Sequence, residues 1–135
     1  VTQYISRRAS NRVHLSCVLP QQPIIVPMCS SLFEWVVENL CKNAIDAMEG
    51  EGSIVLTAFC EDNHAVVEVS DTGKGIPRNM FRTVFTPGFT TKKRGWGLGL
   101  SLAKRIVEEY HHGRIYVKSS EVGHGTTFRI ELKIH

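Results

Sequence analysis

No apolar run in these 135 residues approaches the roughly 20 needed to cross a bilayer as a helix. The start of the chain, where Arg7, Arg8 and Arg12 stand among polar residues, has no apolar stretch of the kind a signal peptide carries. Both absences point to a cytoplasmic domain that makes no membrane contact itself, a reading that leaves room for a membrane anchor elsewhere in a longer protein. Cys-x-x-Cys is missing too. The four cysteines, Cys17, Cys29, Cys41 and Cys60, are scattered over apparent strand and helix positions. That argues against a zinc site or a disulfide framework, and for free, mostly buried thiols in a reducing compartment. Charge of one sign is scarce: the formal net charge is +3 and no basic run is interleaved with aromatics, so nothing marks a nucleic-acid partner. There is no internal repeat, no low-complexity segment and no initiator Met at Val1, and the chain reads as a piece of something larger.

What is present suits one core: the chain is 42% hydrophobic and 21% charged. Its most informative stretch is Asp71-Thr72-Gly73-Lys74-Gly75-Ile76. Ahead of it Val67 and Val69 alternate with Glu68 and Ser70, a strand pattern that runs into the aspartate. Gly73 and Gly75 let the backbone turn tightly and come close to a ligand. A carboxylate held at such a turn can accept a hydrogen bond from an exocyclic amine such as that of adenine. An Asp before Gly is also an ordinary way to end a strand, so on this stretch alone both readings stay open.

Upstream, Leu32, Phe33, Val36, Val37, Leu40, Ala44, Ala47 and Met48 recur at three- and four-residue spacing and predict a helix over 32–48. Ser30 or Ser31 can cap it and Gly50 can end it. Asn39 and Asn43 stand four residues apart on one face, with Asp46 near them. Asn is a poor residue for a helix interior, and a side-chain amide oxygen can ligate a hard cation such as magnesium; two solvated amides are the plainer account.

Strands are expected over 12–19, 53–60 and 64–70, the last two joined by Glu61-Asp62-Asn63. Pro77 opens a short helix through 84. A glycine-rich loop follows in which Lys92, Lys93 and Arg94 cluster, either as a solvated segment or to neutralise phosphate charge. Leu98, Leu102, Ala103, Ile106 and Val107 form the stripe of a helix over 98–110, and strands over 114–119 and 126–133 close the chain. Strands and helices mix without the regular alternation of a doubly wound parallel sheet, so the expected class is α+β, a two-layer sandwich filling residues 1–135 as a single domain.

Five segments carry a family resemblance. Asn39-Leu40-Cys41-Lys42-Asn43-Ala44 resembles the N box, Asp71 to Gly75 the first glycine box, and Val84-Phe85-Thr86-Pro87-Gly88-Phe89-Thr90-Thr91-Lys92 the phenylalanine box. Gly95-Trp96-Gly97-Leu98-Gly99-Leu100 resembles the second glycine box and Gly123-His124-Gly125-Thr126-Thr127-Phe128 the last. In this order, over 39–128, they are similar to the ATP-binding domain shared by gyrase, the heat-shock chaperone ATPase, sensor histidine kinases and mismatch-repair ATPases. Thr90-Thr91-Lys92 after the phenylalanine box resembles the histidine kinase branch. The resemblance implies a Bergerat-type fold, with a mixed, mostly antiparallel sheet and helices on one face.

It also implies roles. Asp71 would accept the adenine amine, with Gly73, Gly75 and Ile76 shaping the turn and Thr126 assisting the base directly or through water. Asn43 would hold Mg2+ against the phosphates of ATP, and Asn39 would line the same site. Gly95, Gly97, Leu98 and Gly99 would bring backbone amides to the phosphates, and Lys92 would reach the terminal ones; Asn39 and Lys92 would be the catalytic pair. The γ-phosphate would go to a histidine on a helical dimerisation domain, and from there to a response regulator in two-component signal transduction. None of the six histidines here heads a helix as a phosphoacceptor would, so that domain is expected outside this chain, with 1–11 as the remnant of its linker. Two alternatives stand beside this reading. A free-standing anti-sigma-factor serine kinase would carry Glu, a general base, where Asn39 stands. A catalytically silent ATP-binding interaction module fits two departures from the family pattern, Gly88 for an aromatic and Trp96 for a small hydroxyl residue.

Overall fold

The computed structural model describes residues 13–18, 30–87 and 99–133. In chain order these form β1 (Val13–Val18), α1 (Ser30–Ala47), β2 (Gly52–Glu61), β3 (His64–Asp71), two short 3-10 turns (Arg78–Met80 and Thr83–Phe85), α2 (Gly99–Arg105) running on into a π turn (Ile106–Tyr110), β4 (Arg114–Glu121) and β5 (Gly125–Lys133). The strands make one sheet in the order β1-β2-β3-β5-β4. β1 runs parallel to β2 and every other pair is antiparallel, which is the mixed α+β sandwich expected.

Local chemistry explains the joints. Asp62 and Asn63 both take positive φ, 49° and 63°, the left-handed region that Asn and Asp tolerate. A two-residue turn of that hand matches the strand twist, so it closes β2 onto β3. Gly50, at φ 79°, donates its N–H to the Ile45 carbonyl at 3.0 Å and ends α1 where expected. The stretch 77–84 is not one helix. It closes two separate turns through Met80 N–H to Pro77 O (2.8 Å) and Thr86 N–H to Thr83 O (2.9 Å), and the second turns Val84 and Phe85 into the core.

One face of the sheet is apolar. Thr126, Phe128, Ile130 and Leu132 alternate inward on β5, beside Val69, Ile115, Val117, Ile54 and Leu56, and Val36, Val37, Leu40, Cys41, Ala44 and Met48 of α1 close over them. From α2 and its π turn come Ala103, Ile106 and Val107; Leu102, expected in that stripe, sits at its margin and is exposed. The cysteines also depart from expectation. Only Cys41 is buried, its thiol pushed up to about 12 chiefly by burial, while Cys17 and Cys60 are exposed on strands; Cys29 lies outside the described residues.

The other face carries charge that satisfies itself. Arg129 bonds Glu61 (2.6 Å), Glu131 (2.8 Å) and Glu68 (3.2 Å). Lys118 reaches Glu68 at 2.9 Å, and the Tyr116 hydroxyl donates to Glu131 at 2.6 Å. Val66, cross-strand neighbour of Phe59 and Glu131, is fully buried there, outside the main core cluster. The Tyr116 hydrogen bond, and then Arg129, hold Glu131 below the usual carboxylate range. A lowered folded-state pKa contributes stability that is present above the unfolded value and lost as pH falls through the folded one. Thermal unfolding should therefore show the wild type losing stability more steeply than Tyr116→Phe as pH drops from about 5 toward 3. Parallel curves would contradict that role for Tyr116.

Candidate nucleotide site

The loop after β3 is fastened at every residue. The Ser53 N–H donates to Thr72 Oγ1 at 3.1 Å. Gly73 lies against the end of α1: a Cβ there would stand 2.7 Å from the Ala47 carbonyl oxygen, and the Lys74 N–H donates to that oxygen at 3.0 Å. Gly123 N–H donates back to the Lys74 carbonyl at 2.8 Å. Gly75, at φ 78°, passes so close to the Glu121 backbone that no side chain fits. Ile76 gives its N–H to Ser120 Oγ at 2.7 Å. That commits the Ile76 amide, while its half-buried side chain packs on the core.

Asp71 stands at the head of this loop and is 8% exposed. Its Oδ1 accepts from Gly73 N–H at 2.8 Å and from Thr126 N–H at 3.3 Å, so the carboxylate is fixed in rotation, and no described residue donates to Oδ2. Burial raises the carboxyl above its ordinary value, with the two backbone bonds pulling the other way.

The two asparagines are placed by α1. Asn39, Asn43 and Ala47 recur every four residues and form one row on the helix. At one end, Asn39 backs onto the start of α2, where a Cβ on Gly99 would meet its amide at 2.8 Å. At the other end Ala47 meets Gly73, so half-buried Asn43 lies between the two loops. Asn39 Nδ2 is buried with no hydrogen-bond partner. An orphan donor of this kind is costly unless a ligand completes it. Phe85 anchors the phenylalanine box: it is buried edge-to-face on Phe128 at 6.0 Å, with the Lys104 ammonium 5.6 Å over its ring.

The structure thus brings Asn39, Asn43, Asp71, Gly73, Gly75, Ile76, Gly99 and Thr126 to one end of the domain. Lys92, Gly95, Gly97, Leu98, Gly88 and Trp96 lie outside the described residues. The sequence reading missed Ser120. Its Oγ accepts from Ile76, donates to the Gly125 carbonyl at 3.0 Å and lies 2.8 Å from Thr126 Oγ1. The only sequence signal was a pair of serines interrupting the alternation of β4.

A fixed carboxylate, two amides in one row of α1 and a glycine-rich turn thus stand at this end of the domain. Residues 30–135 match the family described as histidine kinase-, DNA gyrase B-, and HSP90-like ATPase. The chain belongs to that family. It is 43% identical over 100 residues to the sensor histidine kinase ZraS of Escherichia coli (strain K12), covering 74% of this chain and 21% of ZraS. The catalytic domain of histidine kinase ThkA superposes with a TM-score of 0.81 at 28% identity, over 98% of this chain and 84% of that one. ThkA in complex with the response regulator protein TrrA gives 0.79 at 26%, over 99% of this chain and 37% of that one. The chain spans about a fifth of the length of the curated relatives it matches.

The raised pKa of Asp71 has a consequence for stability. A raised folded-state pKa contributes stability that is fully present below the unfolded value and lost as pH rises through the folded value. Asp71→Asn keeps an acceptor for Gly73 and Thr126 and removes that loss. In the absence of ligand, the melting temperature of the variant should gain on the wild type as pH rises from about 4 to 7. A gap that does not change with pH would contradict the burial account.

Proposed function

We propose that this chain is the catalytic ATP-binding domain of a two-component sensor histidine kinase, and that with Mg2+ it donates the γ-phosphate of ATP to a histidine on a helical dimerisation domain of the same protein. The observation that carries the reading is the second oxygen of Asp71: a carboxylate held rigid through two backbone N–H groups on its other oxygen is prepared to accept one exocyclic amine. Thr126, 5% exposed beside it, completes the base edge. Asn39 is the group nearest the start of α2, and its orphan Nδ2 fits a phosphate oxygen. The amide oxygen of Asn43 fits Mg2+, which takes a few protein oxygens together with phosphate and water. When bound, that ion would neutralise charge between the phosphates. Lys92, Gly95, Gly97 and Leu98 are assigned to the phosphate end by the family pattern alone.

Phosphoryl transfer asks mainly for positioning and charge stabilisation. The residues here serve the first at the base end, where Gly73 and Thr126 already hold Asp71. An amide rather than a carboxylate at position 39 supplies no general base for water, which favours transfer to histidine over hydrolysis. The relatives named as sensor histidine kinases, and the ThkA complex with a response regulator, support a phosphoacceptor domain and a receiver domain as partners. Residues 1–11 are assigned to the link with the former. No described helix is long and apolar enough to cross a membrane.

Two measurements test the reading. In calorimetric titration Asp71→Asn should weaken ATP binding by about 1.5 to 3 kcal/mol, the cost of losing a charge-assisted hydrogen bond in a partly desolvated site. Unchanged affinity in a folded variant would remove Asp71 from the pocket. Asn43→Ala should reduce the gain in ATP affinity that Mg2+ confers while leaving adenosine binding near the wild-type value. Equal losses for both ligands would point to damage of the fold instead.

A further inference from the structure

β4 and β5 pair Ile115 with Ile130 and Val117 with Phe128, and then Ser119 with Thr127 and Ser120 with Thr126. Lys118 is thus an extra residue, a β-bulge, and it reverses which side chains of β4 face inward. Before the bulge the odd-numbered Ile115 and Val117 are buried; after it the even-numbered Ser120 faces the same side as Thr126 and Asp71. Lys118 itself is directed to the outer face, where it pairs with Glu68.

On the site face the hydroxyl of Ser120 is fully engaged. It has one proton and two acceptor positions. The proton goes to the Gly125 carbonyl at 3.0 Å, one acceptor position takes the Ile76 N–H at 2.7 Å, and the other is left for Thr126 Oγ1 at 2.8 Å. Thr126 must then donate to Ser120, so the Thr126 hydroxyl turns only lone pairs toward the pocket. The free oxygen of Asp71 is an acceptor as well. Both groups facing the base therefore call for donors.

We propose that Ser120 is a positioning residue that sets the purine preference of the site: by claiming the proton of Thr126 it makes Thr126 an acceptor, directed at a 6-amino group or at a water that group holds, and so disfavours a 6-oxo purine. The proposal rests on the nucleotide-site reading above. A 6-oxo purine turns an acceptor to the place where the 6-amino group donates, its N1–H lying beside that place and not at it; without Ser120, the Thr126 hydroxyl is free to rotate and donate to the oxygen.

The test compares ATP with ITP, which differ in the 6-substituent and in the proton that ITP carries on N1, by calorimetry on the whole chain. The preference of the wild type for ATP should fall about three- to tenfold in Ser120→Ala, the weight of one neutral hydrogen bond. Ser120→Thr, which keeps the hydroxyl, should restore it. In a Thr126→Val background, Ser120→Ala should leave the ratio unmoved, whereas general loosening of the loop would weaken both nucleotides alike. A folded Ser120→Ala variant with the wild-type ratio overturns the role of Ser120 and leaves the site standing. A wild type that binds both nucleotides equally also overturns it, and one that binds neither overturns the site reading itself.

Discussion

Two backbone N–H groups, from Gly73 and Thr126, converge on a single oxygen of Asp71, and the geometry of the site follows from that convergence. It ties the end of β3 to its own following loop and to β5 at once. The loop is held on one side by the end of α1 and on the other by the β4–β5 turn. The carboxylate cannot rotate away from the direction its second oxygen takes. A carboxylate whose ionised form is disfavoured by burial lowers the stability of the unliganded domain, and recognition residues commonly stand at such positions because the same deficit is relieved when a ligand arrives.

The sheet meets two different demands on its two faces. Inward, alternating apolar residues of β5, β3 and β4 pack under α1 and α2. Outward, there is no second layer among the described residues, and Arg129 takes that part, 14% exposed with three carboxylates around it and Phe59 beneath, 5.7 Å from its guanidinium carbon. Like charges on neighbouring strands would repel; one guanidinium shared among Glu61, Glu68 and Glu131 turns that repulsion into a lattice across β2, β3 and β5.

What could be read in the sequence was whatever a short period or a single residue type encodes. Asn39 and Asn43 were legible because helical spacing puts them together, and Asp71 because a strand pattern ends on it and glycines follow. Leu102 misled because a stripe has margins that periodicity does not mark. The segment 77–84 misled because whether eight residues form one helix or two turns is decided by what Val84 and Phe85 pack against. Ser120 was hard to read for a sharper reason: an extra residue in a strand exchanges its faces, and the pair of serines that breaks the alternation does not say which way. The loop carrying Lys92 and Gly97 was read from family pattern, without a structural counterpart among the described residues.

The row Asn39, Asn43, Ala47 on α1 runs from the loop that begins α2 to the loop that follows Asp71. Eight residues of helix rise about 12 Å, and a helix does not stretch. α1 thus works as a gauge block between the two ends of the site: it fixes the length of molecule that can touch both. On the proposed reading a nucleoside would engage one end and leave the other unmet, whatever the fit of its base, and an anion without a base would do the reverse. On that reading the spacing of three residues on one helix would select by span as well as by charge.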